Sequence, residues 1–323
     1  MSEFAAPRAG RLLMGLYPAA YRAAHGADIE AVFAETAEGL TRRQVLRERR
    51  DLAKHALRLR LRIGPTDPAG RVLAGAAPVV VAVAAGYALH LLLPTLPELV
   101  ERFRNPHPVY GLRPALVQGI ASAVPTLPWL LALVFSVLGR WRAARIFGVL
   151  GALAGASTPL LVGSHQMFML GEAVGAALGG LVLALAPSTL VDGSPRGRWE
   201  VAGLALGVAF PLMAADRFGV LSPGGAVYVQ YLELLPAWLC TATAVVLLLR
   251  LSARPPDLHR SAGVALGIVP QLLFIPFLFL DGAMNPRLAL RLAAVSLAPF
   301  AVALVLALAI HLARRARRTA GPV

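Results

Sequence analysis

The chain has 323 residues, of which 57% are hydrophobic and 15% charged, with a mean hydropathy of +0.67. A soluble domain carries about a quarter charged residues, so this composition argues against an ordinary soluble protein and fits a multi-spanning membrane protein. The formal net charge of +14 would suit a nucleic-acid partner, but the arginines lie between apolar stretches, as in cytoplasmic loops of membrane proteins, and no nucleic acid is expected.

Only one basic residue is a lysine, Lys54; the arginine, alanine and glycine skew points to a GC-rich bacterial genome. Cys240 is the single cysteine and falls in an apolar run, so an intramolecular disulfide and a cysteine metal cluster are excluded and a packing role is expected. The first seventy residues lack the early apolar core of a secretory signal.

Residues 1–63 read as a cytosolic helical head with thirteen basic and eight acidic residues up to Arg71. Leu12, Leu13, Leu16, Tyr17 and Tyr21 recur at helical spacing. Pro18 starts or kinks a helix, and Gly26 is expected to stop it. Asp28 then caps a second helix with Ile29, Val32, Phe33 and Leu40 as its stripe. Thr41 and Gln44 stand at capping-box spacing before a third helix with Val45, Leu52, Ala56, Leu59 and Ile63 on one side. The run Leu57–Arg62 alternates like a strand, yet it continues that helical stripe and has no partner strand, so a helix is expected. This helix either packs as a solvated element or rests on the bilayer, Arg58, Arg60 and Arg62 reaching anionic headgroups. Residues 64–71, with Gly64, Pro65, Asp67, Pro68 and Gly70, form a linker.

Leu16, Tyr17, Pro18, Tyr21, Arg22, Gly26 and Glu30, with the arginine-leucine helix Arg49–Gly64, resemble the N-terminal module of a set of actinobacterial multi-spanning membrane proteins. The module is similar to the short cytoplasmic prefix of some ABC-type permeases. The likeness covers about a fifth of the chain. It implies a membrane protein with a small cytosolic head and transfers no active site.

The membrane part is expected to occupy residues 72–312, an all-α polytopic bundle of about eight spans. The first, Val72–Leu93, has no Asp, Glu, Lys or Arg and matches a hydrocarbon core of about 30 Å. The loop from Pro94 to Leu112 follows, with Leu96, Leu99, Val100 and Phe103 giving a short amphipathic face. Further spans are read near Ala115–Leu138, Ala143–Val162, Met167–Ala186, Val201–Ala214, Leu232–Leu249, Ala262–Leu280 and Leu290–Leu312, followed by a basic tail, 313–323. The fifth is short unless extended to Trp199 and Phe218. With the head inside, 25 of the 31 basic residues fall on the cytoplasmic side, so a bacterial cytoplasmic membrane with both termini cytoplasmic is expected. The similar stretches beginning Leu127-Pro128-Trp129 and Leu235-Pro236-Ala237-Trp238 raise a four-plus-four repeat as an alternative to chance likeness. Glycines on the third and fourth spans, Gly148 to Gly180, are read as close-packing positions.

Charged and polar groups within spans are functional candidates. Glu172, Glu233, Gln166 and Gln271 form the candidate intramembrane polar site, with Gln230 a further companion. His107, His165, Asp216 and Asp281 stand on the outer side, and His90 is read as interfacial or packing. These groups match no catalytic motif, metal-ligand spacing or phosphate-cradling loop, so no metal, cofactor or catalytic residue is assigned. The resulting expectation is a transport-associated, permease-like subunit. It has no Walker motif, so an ATPase would be a separate partner, with the head as docking or regulatory module. A membrane-anchored sensor or scaffold is the alternative, and a membrane enzyme using Glu172 the third reading.

Overall fold

In the computed structural model the described residues are 14–37, 39–104, 112–162, 167–191, 193–217, 226–252, 257–272 and 286–319. The fold is all-α: the described residues form helices and turns without a strand. The chain divides into two compact units, Met1–Gly70 and Arg71–Val323.

In the first unit, α1 spans Ala19–Ala37 and α2 spans Arg42–Leu61. Gly26 is not a stop, and Asp28 caps nothing, because α1 runs through both. A glycine inside a helix costs only about 1 kcal/mol relative to alanine, and here the flanking alanines and apolar residues carry the helix on. The chain instead turns at Gly39, whose φ of +81° is a left-handed conformation suited to glycine. The Thr41 N–H donates to Gln44 Oε1 at 2.9 Å and opens α2. The Leu57–Arg62 run is helical to Leu61, and Arg62 ends it with φ 51°. Val45, Leu52, Ala56, Leu59 and Ile63 all lie on the buried or half-buried side.

The second unit contains α3 (Pro68–Arg104, which starts in the first), α4 (Leu112–Val137), α5 (Trp141–Val162), α6 (Met167–Leu185), α7 (Pro195–Arg217), α8 (Ala226–Leu251), α9 (Leu258–Leu272) and α10 (Pro286–Thr319). Among the described residues, two stretches are long and apolar enough to cross a membrane by length and composition, Pro68–Leu93 and Ala294–Ala316; they are 72% and 17% buried. That difference sets the architecture. α3 is the axis: Val80, Val81, Ala82, Val83 and Ala85, which together face all round the helix, are at most 1% exposed. On one side they meet Trp129 and Ala132 of α4, Ala152 of α5 and Leu183 of α6. On the other, Val79 and Val83 meet Val208 and Leu212 of α7, Leu239 of α8 and Ile268 of α9. α10 packs on α8 at the rim.

Two expected boundaries move. α3 does not end at Pro94 but continues as one helix to Arg104, so residues 94–104 are not a loop. α10 itself runs without a break to Thr319, so the described part of the basic tail is helical. The short fifth stretch sits in a 23-residue helix, α7, about 35 Å long at 1.5 Å per residue.

Glycines set the closest crossings. Gly263 and Gly267, four apart on α9, lie on α3: a Cβ on Gly263 would stand 2.2 Å from Val72 O, and one on Gly267 2.8 Å from Ala76 O. On α6, Gly175 lies under Pro270 O and Gly179 faces Val80. On α5, Gly148 receives Leu183 and Gly151 the Trp129 indole. Small residues let backbones approach where a larger side chain would hold them apart.

Candidate functional site

The expected intramembrane site is only partly assembled among the described residues. The α6 glycine row Gly171, Gly175 and Gly179 is buried. Glu172, one residue further, is turned by about 100° and its side chain is exposed. Among the described residues it makes neither hydrogen bond nor ion pair. Gln271 follows Pro270, whose carbonyl presses on Gly175, three residues from Glu172; Gln271 is half-buried. Pro270 within α9 has no N–H to give, so the carbonyl one turn earlier loses its helical donor. The α6–α9 crossing is thus made by Gly175, Gly179 and a proline-interrupted helix, with Gln271 next to the contact. Glu233 stands in the first half of α8, and Asp216 at the end of α7. Gln166, His107, His165 and Asp281 lie outside the described residues. Among the described residues no three His, Cys, Asp or Glu side chains group as metal ligands.

His90 is buried, with its ring 6.3 Å from that of Tyr87, a packing position on the axial helix. Cys240 is also buried, at 1% exposure.

A second locus joins distant parts of the sequence at one end of the bundle. The α6–α7 connection accepts hydrogen bonds from arginines of three helices. Arg145 of α5 donates to Ala186 O at 3.4 Å, Arg198 of α7 to Gly193 O at 2.9 Å, and Arg260 of α9 to Leu190 O at 3.3 Å. Arg250 at the end of α8 meets Glu200 of α7 at 2.8 Å, and Arg196 meets the same carboxylate at 3.3 Å. His311 of α10 bonds Leu251 O at 2.7 Å, and Arg314 donates to Ser252 O. The α4–α5 turn closes at the same end: Gly139, with φ +74°, lies under the Arg198 guanidinium. A side chain there would collide with the arginine and strain the backbone. These arginines satisfy loop carbonyls that water would otherwise have to serve, and they make this end strongly positive. Arginine clusters were legible in the sequence as basic loops. The partners of Arg145, Arg260 and Arg314 were not, because each is a backbone carbonyl 41 to 70 residues away and carries no sequence signal.

In the head, the motif residues divide between core and surface. Tyr17 is 2% exposed and packs with Met14 and Ala56. Its ring stacks on Tyr21 at 5.6 Å, and its hydroxyl points to Leu52 O at 3.5 Å. His55 of α2 stands 6.0 Å from Tyr17, and His25 4.8 Å from Tyr21. Pro18 precedes the first turn of α1, its carbonyl accepting the Arg22 N–H at 2.9 Å. Leu16 and Arg22 are exposed, and Gly26 is half-buried. The motif thus builds the contact between α1 and α2. Burial, and to a lesser degree Tyr21, pushes the Tyr17 hydroxyl above the ordinary tyrosine value.

Comparison with protein-family models, with curated proteins and with solved structures finds no match to this chain.

Proposed function

We propose that the chain is an integral membrane protein of eight crossings with both ends cytoplasmic, acting as a permease-like, transport-associated subunit. ATP hydrolysis would come from a separate partner, for which the head is the docking or regulatory module. The observation that carries the membrane part is the distribution of side-chain size. Small residues make up much of the interior: Ala76, Ala77, Ala85, Ala132 and Ala205 are fully buried, beside the valines of α3. The large apolar residues face outward, with Ile146 61%, Leu153 62%, Phe210 63% and Leu304 63% exposed. A soluble bundle reverses this arrangement, since exposed apolar patches are unfavourable in water. Lipid removes that cost, and small interfaces give membrane helices their packing.

The gathering of the α4–α5, α6–α7 and α8–α9 connections and the last turns of α10 at one arginine-rich end supports an even number of crossings with that end in the cytoplasm. The transport part is supported by the number of apolar helices and by Pro270 interrupting α9 where it crosses α6, since broken helices line cavities in transporters.

Reporter fusions after Val323 and within residues 105–110 test the topology; the first should report the cytoplasm and the second the exterior, and an external Val323 overturns the eight crossings. Affinity purification of the full chain from its native membrane tests the partner. An ATPase should co-purify, and be lost when residues 1–62 are deleted; undiminished recovery from the truncated chain removes the docking role of the head.

A further inference from the structure

The two helices of the head carry opposite charge. α1 has Asp28, Glu30 and Glu35 against Arg22 alone, whereas α2 has eight basic residues against Glu48 and Asp51. On α2 the charges are sorted by face. At 100° per residue, Leu46, Leu57 and Leu61 fall within an arc of about 60°. All three are exposed, at 67%, 48% and 46%. Arg43 and Arg50 lie inside the same arc, with Arg42, Arg60 and Lys54 at its margins, and all five are exposed. Glu48 and Asp51 lie on the far side, more than about 100° from Leu57. Leu59 belongs to the other face, packed with Tyr17 and Ala56, so the alternating leucines of the Leu57–Arg62 run do not share a surface. Only Leu57 and Leu61 join Leu46 outside.

We propose that this face of α2 is a binding surface for an anionic lipid bilayer, with the three leucines entering the interface and the arginines held by headgroup phosphates. An apolar strip bordered by basic residues and cleared of acids is complementary to a negatively charged interface. It offers a protein partner no acid to pair with. Six residues, Arg62–Asp67, join α2 to α3, so once α3 is in a membrane the face meets lipid at high effective concentration. The acidic α1, with Val32 61% exposed, is left facing the cytosol for the partner proposed above.

The inference rests on the membrane reading, and the experiment separates the two. The full chain, with Cys240→Ala and Leu57→Cys carrying an environment-sensitive fluorophore, is placed in nanodiscs of phosphatidylcholine or of phosphatidylglycerol. A companion chain carries the label at Glu35→Cys on α1. In phosphatidylglycerol the label at 57 should shift to the blue and be shielded at least about threefold from a water-soluble quencher. In phosphatidylcholine it should stay open, as should the label at 35 in both. Adding Arg50→Glu and Lys54→Glu should return the label at 57 to full quenching.

Incorporation into nanodiscs with position 57 fully quenched in both lipids overturns this inference alone, while failure to incorporate overturns the membrane reading. Equal shielding in both lipids overturns the charge selectivity. Shielding in detergent that grows with protein concentration assigns the face to a second copy and also overturns the proposal.

Discussion

Tyr17 is the residue on which α1 and α2 close, and its burial makes two predictions. Replacing it with alanine leaves a void between Met14, Ala56 and Tyr21 and should cost about 3–5 kcal/mol of head stability, read as faster amide exchange across α1 and α2. The hydroxyl titrates above the ordinary value of 10.0. The folded head therefore favours the neutral phenol; the stabilisation is complete below pH 10 and is lost as pH rises through the raised value. In an alkaline absorbance titration of the full chain, Tyr17→Phe should remove a component that ionises above the ordinary tyrosine range. The glycines separate by what a methyl group would meet. Gly175→Ala and Gly263→Ala force a Cβ against backbone atoms at 2.0 and 2.2 Å. Each should lower the thermal midpoint in detergent, at about 1–3 kcal/mol. Gly203 has open space around it, so Gly203→Ala should raise stability by up to about 1 kcal/mol through helix propensity alone.

At the scale of the element, helix ends followed the sequence wherever a local signal acted and moved wherever packing overrode it. Thr41 and Gln44 open α2 through a hydrogen bond three residues long, and Gln44→Ala should loosen its first turn by about 0.5–1 kcal/mol. Arg62 ends the same helix in a left-handed conformation. Arg62→Gly should stabilise α2 by a few tenths to about 1 kcal/mol, seen as slower exchange of its last amides. Gly26 and Pro94 carried equally plain local signals for a break, yet α1 and α3 pass through them. A breaker costs a kcal/mol or a few, which the hydrogen bonds of the remaining turns of a long helix can absorb. Glu200 ties α7 to α8 through Arg250. The pair is partly exposed, so Glu200→Gln should change stability by less than about 1 kcal/mol.

For the whole molecule, the axial position of α3 is the organising fact. A four-plus-four repeat would match α3 with α7. α3 is buried round its circumference, whereas α7 presents Leu206 and Phe210 outward. The tryptophans of the two similar stretches also differ: Trp129 is buried on Gly151, while Trp238 is exposed and donates to Gly207 O at 2.7 Å. The two halves therefore do not play equivalent packing roles. The outward apolar surface makes a further prediction. If the proposed membrane reading holds, polar substitution at Leu153 or Leu304, tolerated in a water-facing helix, impairs membrane insertion, whereas at Trp199, 73% exposed at the arginine-rich end, it is accepted. The level of chain retained after alkaline extraction of membranes measures both.

The sequence by itself determined the helical class, the charge-free stretch that became the axis, the basic connections and the buried side of α2. Each depends on periodicity or composition within a short window. Only the tertiary structure decided that the apolar stretch Pro68–Leu93 is 72% buried and the equally apolar Ala294–Ala316 only 17%, because apolarity does not say whether lipid or protein covers a helix. It also decided that Glu172 turns away from the glycine row, that the arginines serve carbonyls of other loops, and that Leu59 parts company with Leu57 and Leu61. Those outcomes depend on which helix lies opposite, a relation between residues far apart in the chain that no local pattern encodes.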